Sequence, residues 1–194
     1  MKNRPVAGVK YVFIAIISIA FLTFFNNSSA QNEGTTKAHH TPTGFKNNYA
    51  QQVNKSFGDF LRWQWESWGL DKTANSLTPS VQADLALLQA PTAPTVTWIG
   101  HATALVQANG LNVLVDPIFS ERASPVQIFG PKRAQPPGVA MADLPHIDAV
   151  LISHNHYDHL DRNSVAQLDE KAKAAGKTTQ FFVPLGLKAW FNGI

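Results

Sequence analysis

The chain has 194 residues, with 16 Lys+Arg against 13 Asp+Glu, a net charge of +3 and no cysteine. Without cysteine, disulfides and thiolate metal ligands are both excluded. The charge excess sits at the start: Lys2, Arg4 and Lys10 lie in the first thirty residues, which hold no acid, so 13 basic residues face 13 acidic ones in the rest. The remainder therefore lacks the basic balance expected of a nucleic-acid binder, and no nucleic-acid partner is expected.

Residues 1–30 read as an export signal. The three cations precede an apolar run, Tyr11 to Phe25, and Asn26-Asn27-Ser28-Ser29-Ala30 suits signal peptidase cleavage after Ala30. That run has 15 residues, short of the roughly 20 that span a bilayer. The expected location is outside the cytoplasm, periplasmic or secreted. The alternative is anchoring to the inner membrane by the same segment left uncleaved as an N-terminal helix. No cysteine follows the run, so a lipoprotein anchor is excluded. Residues 31–56 are polar and without periodicity, as in a flexible leader.

Residues 57–94 read as an N-terminal helix and a connector. Phe57, Phe60, Leu61, Trp65 and Trp68 fall near one face at helical spacing. The expected role of that face is packing on the domain, with contact to a membrane surface or acyl chain as the alternative. Asp59, Arg62 and Glu66 do not make the basic polar face that anionic lipid would select. The connector holds three prolines after Thr73, with a short helix expected near Val81 to Leu88.

The core begins at Thr95. Thr95 to Ile99 is a β-branched and aromatic run that predicts a strand. Gly100-His101-Ala102-Thr103 leads to a second strand, Ala104 to Gln107. Asn109-Gly110 is a two-residue hairpin signal, and Leu111 to Val115 returns as a third strand. Asp116 ends it, before Pro117, where an aspartate commonly shapes a turn. His101, also at a strand end, reads as a group behind the site, as a substrate-facing group, or as a structural histidine. Glu121 to Pro145 is a proline-rich loop whose length is itself a functional signal. Its Lys132 and Arg133 read as solvated cations or as a phosphate contact.

The densest chemistry lies in Ser153-His154-Asn155-His156-Tyr157-Asp158-His159-Leu160-Asp161, after the apolar run Ile147 to Ile152. Side chains at i and i+2 of an extended segment point the same way, so His154 and His156 can meet one cation from one side. A turn at Asp158-His159 can swing both toward a second cation. Imidazole and carboxylate ligands suit zinc, with manganese or iron as alternatives. Two such ions would hold a hydroxide at neutral pH and polarise the group it attacks. A strand emptying into a loop of this kind, followed by a helix, places chemistry at the carboxyl end of a sheet in an α/β protein. Asp161 or Asn163 can cap that helix, with Val165, Leu168, Ala172 and Ala175 as its apolar positions and Gly176 as its stop. Thr179 to Val183 predicts another strand, and Leu185 to Phe191 a second helix.

The motif His154-x-His156-x-Asp158-His159 resembles the signature of the metallo-β-lactamase superfamily. The words Thr97 to Thr103, Val115 to Ser120, Arg122 to Pro125, Gly130 to Arg133 and Phe182 to Gly186 resemble its branch containing N-acyl-phosphatidylethanolamine-hydrolysing phospholipase D. The likeness runs from about Thr95 to the last residue, and more weakly back to Phe57.

The resemblance implies an αββα fold, an α+β sandwich of two similar halves, with residues 95–194 forming the first half. It implies two zinc ions, one on His154 and His156 and one on Asp158 and His159, with their metal-bound hydroxide as the catalytic group. Asp116 would support the metals from behind, and Tyr157 would contact a phospholipid substrate. One histidine per metal and a bridging carboxylate would lie beyond Ile194, so the chain alone is expected to be an inactive fragment that binds metal poorly. The implied activity is a phosphodiesterase of phospholipase D type, with a possible contact to the membrane surface. The alternatives are an exported lactonase, a β-lactamase or a phosphodiesterase of small molecules, or a non-catalytic binding module. The oligomeric state is left open.

Overall fold

In a computed structural model, the described residues are 37–41, 44–49, 56–67 and 79–193. Residues 1–30, read as an export signal, and most of residues 31–56 lie outside them, as do Trp68 and the first part of the connector. Among the described residues no helix is long and apolar enough to cross a membrane. The chain divides into two units, Met1–Asn54 with Leu185–Gly193, and Lys55–Pro184.

The first unit holds a short antiparallel pair, β1 (His40–Thr41) and β2 (Gly44–Phe45). It also holds one helical turn, Lys188–Phe191, shorter than the helix expected from Leu185.

The second unit opens with α1 (Phe57–Glu66), started by a capping box: the Asp59 N–H donates to Ser56 Oγ and the Ser56 N–H donates to Asp59 Oδ2. Among the described residues, most of its apolar face is not covered by packing. Phe57, Leu61, Trp63 and Trp65 are exposed, and the aromatic contacts run along the helix, Phe57 to Phe60 and Phe60 to Trp63. Helical spacing sets which side chains share a stripe, but it does not supply the surface that the stripe covers. In the connector, α2 (Leu85–Gln89) starts later than expected because Asp84 caps it through the Leu87 N–H.

A five-stranded sheet follows, in the order β3 (Thr95–Gly100), β4 (Thr103–Ala108), β5 (Leu111–Val115), β6 (Ala149–Leu151) and β7 (Gln180–Phe182). The hairpins β3–β4 and β4–β5 are antiparallel, and Asn109 (φ 52°) with Gly110 (φ 76°) makes the tight turn that the dipeptide predicts. β5, β6 and β7 run parallel. Between β6 and β7 lies α3 (Arg162–Ala174), capped by Asp161 and ended at Gly176, whose φ of 66° suits glycine.

The two faces of the sheet differ. Leu105, Leu114 and Val150 are cross-strand neighbours and fully buried. Each contributes about 1.5–3 kcal/mol. Val165, Leu168 and Ala172 of α3 are also in the core, whereas Ala175, expected among them, is exposed beyond the helix end. The opposite face is apolar too: Val96, Val106, Val113 and Ala149 form one cross-strand row, and Trp98, Ala104, Val115, Leu151 and Phe182 a second that crosses all five strands. On that face Val96 is 71% exposed, Trp98 58% and Phe182 60%.

The loop between β5 and β6 is bound down by its own polar groups. Arg133 donates from Nε to the Ser120 carbonyl and from Nη2 to that of Ile118, and Lys132 pairs with Glu121 at 2.6 Å. Both cations are thus engaged inside the loop. Lys171 Nζ reaches the carbonyls of Met141, Ala142 and Leu144, at and just beyond the 3₁₀ turn Met141–Asp143.

Candidate metal centre

Asp116 follows β5, and Ser153 to His159 follow β6, so parallel pairing brings both to the carboxyl end of the sheet. The Asp116 N–H donates to the Leu151 carbonyl, and the Ile152 N–H to that of Phe182, which carries the sheet register into the loop. The chain then turns: the His159 and Leu160 N–H groups both donate to the His156 carbonyl, at 3.0 and 2.7 Å. That turn folds Asp158 and His159 back beside His154. The His154 and His159 rings lie 4.0 Å apart, and those of His154 and His156 4.6 Å apart.

Asp116 organises the imidazoles. Its Oδ2 lies 2.9 Å from His159 Nδ1. An ionised carboxylate only accepts, so the proton is on Nδ1 and the Nε2 lone pair faces the site. Asp116 also accepts from the Ser153 N–H and from Ser153 Oγ, both at 2.7 Å. With its proton committed there, Ser153 Oγ accepts from His154 Nδ1 at 2.9 Å and leaves His154 Nε2 as a lone pair. One carboxylate therefore fixes two imidazoles, the second through a hydroxyl. Ser153 was not singled out by sequence, although it stands directly before the first histidine of the motif.

His154 Nε2 and His156 Nδ1 are 3.1 Å apart, and Asp158 Oδ2 and His159 Nε2 are 3.5 Å apart. His101, from the β3–β4 turn, places Nε2 2.7 Å from Asp158 Oδ2. His101, Asp158 and His159 each offer one ligand atom within 4.8 Å of the others. This donor set fits a borderline divalent cation such as zinc. Tyr157 lies half-buried in the same turn.

Electrostatics favours deprotonated donors. Burial pushes the Asp116 carboxyl up, but hydrogen bonds from His159 and Ser153 outweigh it and hold the pKa below the ordinary carboxylate value. Asp158 behaves alike, with burial opposed by the bond from His101 and by the His159 and His101 charges. His154 is lowered by burial and then by the neighbouring His159 and His156. Burial raises the Tyr157 phenol. Two of these positions carry strained backbone: Asp116 and His101 have φ of 42° and 51°, a region that non-glycine residues rarely occupy.

A mixed sheet gathers at its carboxyl end a His-x-His-x-Asp-His turn over a supporting aspartate, which makes a candidate metal site. Residues 111–192 match the family model described as a beta-lactamase superfamily domain. It is 49% identical over 94 residues to an uncharacterized protein of Mycobacterium tuberculosis, covering 48% of this chain and 24% of that one. It is 44% identical over 96 residues to N-acyl-phosphatidylethanolamine-hydrolyzing phospholipase D 1 of Caenorhabditis elegans, covering 50% of this chain and 26% of that one. A metal-dependent hydrolase of Herpetosiphon aurantiacus is 35% identical over 83 residues, 42% of this chain and 30% of its own. The chain spans about a quarter of the length of the first two of these relatives.

Proposed function

We propose that this chain carries the metal-binding motif of an exported metal-dependent hydrolase whose substrate is the phosphodiester of an N-acylated phospholipid. The observation that carries the reading is the pairing of donors: His154 with His156, and Asp158 with His159, with both imidazole orientations traced to Asp116. The phospholipid class is supported by the likeness to the Caenorhabditis elegans phospholipase D.

His154 and His156 would hold one zinc ion, Asp158 and His159 a second. Bound there, such ions supply Lewis acidity and lower the pKa of water toward neutrality. The protein's own residues hold the geometry. Asp116 keeps a proton on His159 Nδ1, and Ser153 keeps one on His154 Nδ1. Hydrolysis on the head-group side adds a water oxygen to phosphorus and breaks the bond to the head-group oxygen, which takes a proton. The products are phosphatidic acid and an N-acylethanolamine. Tyr157, in the same turn, would contact the lipid.

The test is to express the protein from its own gene, load it with zinc, and offer micellar N-acyl-phosphatidylethanolamine beside a lactone, a β-lactam and a soluble phosphodiester. Release of phosphatidic acid, lost in Asp158→Asn, is the expected result. Turnover of one of the other three alone would reassign the substrate, and no zinc-dependent turnover of any would overturn the reading.

A further inference from the structure

We infer that Thr103 is a positioning residue for the metal centre: its buried hydroxyl holds the strained turn that aims Asp116 at His159 and Ser153. This deepens the metallohydrolase reading and rests on it.

The turn needs support from outside itself. Asp116 has φ 42°, a left-handed value in a residue that precedes a proline. Pro117 has no N–H to hold the turn. Asp116, Pro117 and Ile118 are all buried, so their backbone groups need partners within the protein. Two of those groups, on either side of the proline, meet at one atom. Thr103 Oγ1 donates to the Asp116 carbonyl at 2.8 Å and accepts from the Ile118 N–H at 3.1 Å. Thr103 is itself fully buried. Its one hydroxyl proton is therefore committed, and the two bonds tie both ends of the turn to the start of β4.

The sheet register explains why a threonine there can do this. Ala104 pairs with Val115, so Thr103 stands opposite Asp116, one step further, where β5 leaves the sheet. Side chains alternate along β4, which puts Thr103 with Leu105 on the buried side and Ala104 on the open face. The Asp116 backbone is thus gripped from the buried side while its carboxylate reaches Ser153 and His159. Those carboxylate bonds share one Cβ, so a rotation of the turn moves them together. Valine in place of Thr103 keeps the shape and the strand preference but leaves a buried carbonyl and a buried N–H unpaired. The turn then relaxes from its strained φ, Asp116 draws away from His159 Nδ1, and the imidazole is released.

The test compares Thr103→Val and Thr103→Ser with wild type and Lys171→Met, each as the protein expressed from its own gene. Lys171 braces the loop at Met141 to Leu144, so its variant loses stability away from the metal centre. Zinc affinity is read by chelator competition, and the His159 tautomer of the metal-free protein by long-range proton–nitrogen NMR spectra. Thr103→Val should weaken zinc binding by about 10–100-fold, as when a ligand loses its orienting group, and should lose the Nδ1–H signature of His159. Thr103→Ser keeps the hydroxyl and should keep both, although it gives up a buried methyl. Should Thr103→Val not fold, Thr103→Ala takes its place against the same serine control. If the hydroxyl-free variant matches wild type in both readouts, or the serine variant fails as badly, the inference fails and the metallohydrolase reading stands. An equal loss in Lys171→Met would trace the effect to stability and overturn the inference in the same way. If wild type binds no zinc, both fail.

Discussion

Asp116 and His159, 43 positions apart, meet at 2.9 Å through Oδ2 and Nδ1. The parallel pairing of β5 with β6 brings their segments together, and the strained turn at Asp116 aims the carboxylate into the motif. Asp116 is almost fully buried, so its charge depends on the groups that donate to it.

Replacing Asp116 with Asn should weaken zinc binding by about 10–100-fold. An amide can donate to His159 as well as accept, so the Nδ1 proton is no longer required and the lone pair can turn away from the site. Competition against a chromophoric chelator measures this. Ser153→Ala should produce a smaller loss, since it releases His154 and leaves the bond to His159 in place.

Acid should destabilise the metal-free protein in two stages. His154, Asp116 and Asp158 all have folded pKa values below their ordinary ones. The unfolded chain therefore binds more protons, and stability rises with pH across each window. The first stage begins as pH falls below about 6.5, where an ordinary histidine takes up a proton, and the second below about 3.9, where ordinary carboxylates do. Urea midpoints taken from pH 7 to pH 3 follow both stages. His154→Gln should remove the first and Asp116→Asn should reduce the second.

Lys171→Met should cost about 2–3 kcal/mol, because three carbonyls lose a charged donor. The change appears as a lower urea midpoint at unchanged slope. Zinc affinity should not move, since none of these groups belongs to the metal centre.

Much of the sheet was legible in the sequence. Asn109-Gly110 identifies its own turn, and the β-branched runs on either side place β3, β4 and β5 nearly to the residue. The closeness of His154 to His156 and of Asp158 to His159 was legible for the same reason, since spacing within a short segment determines which side chains share a side. The contributions from distant segments were not. Ser153 looks like an ordinary loop serine until Asp116 is beside it, and His101 depends on a hairpin folding onto a loop more than fifty positions away, at |i−j| of 57. Lys132 and Arg133 engage Glu121 and two loop carbonyls, which composition does not reveal. The helix α1 shows the same limit: periodicity marked its apolar stripe and could not say that Phe57, Leu61 and Trp65 would remain exposed.

The open apolar face predicts self-association. With Val96, Trp98 and Phe182 largely exposed on one side of the sheet, the 194-residue chain should bind a hydrophobic dye and form concentration-dependent oligomers. Val96→Thr with Phe182→Thr should reduce both effects and leave the circular dichroism unchanged. Light scattering and dye fluorescence over a dilution series measure it.

The most direct measurement is the zinc content of the protein expressed from its own gene and purified without chelator, beside His156→Ala and Asp158→Ala. Stoichiometric zinc that falls in both variants is the expected result. A folded protein with no zinc, or with zinc unchanged in both variants, would contradict the metal centre described above.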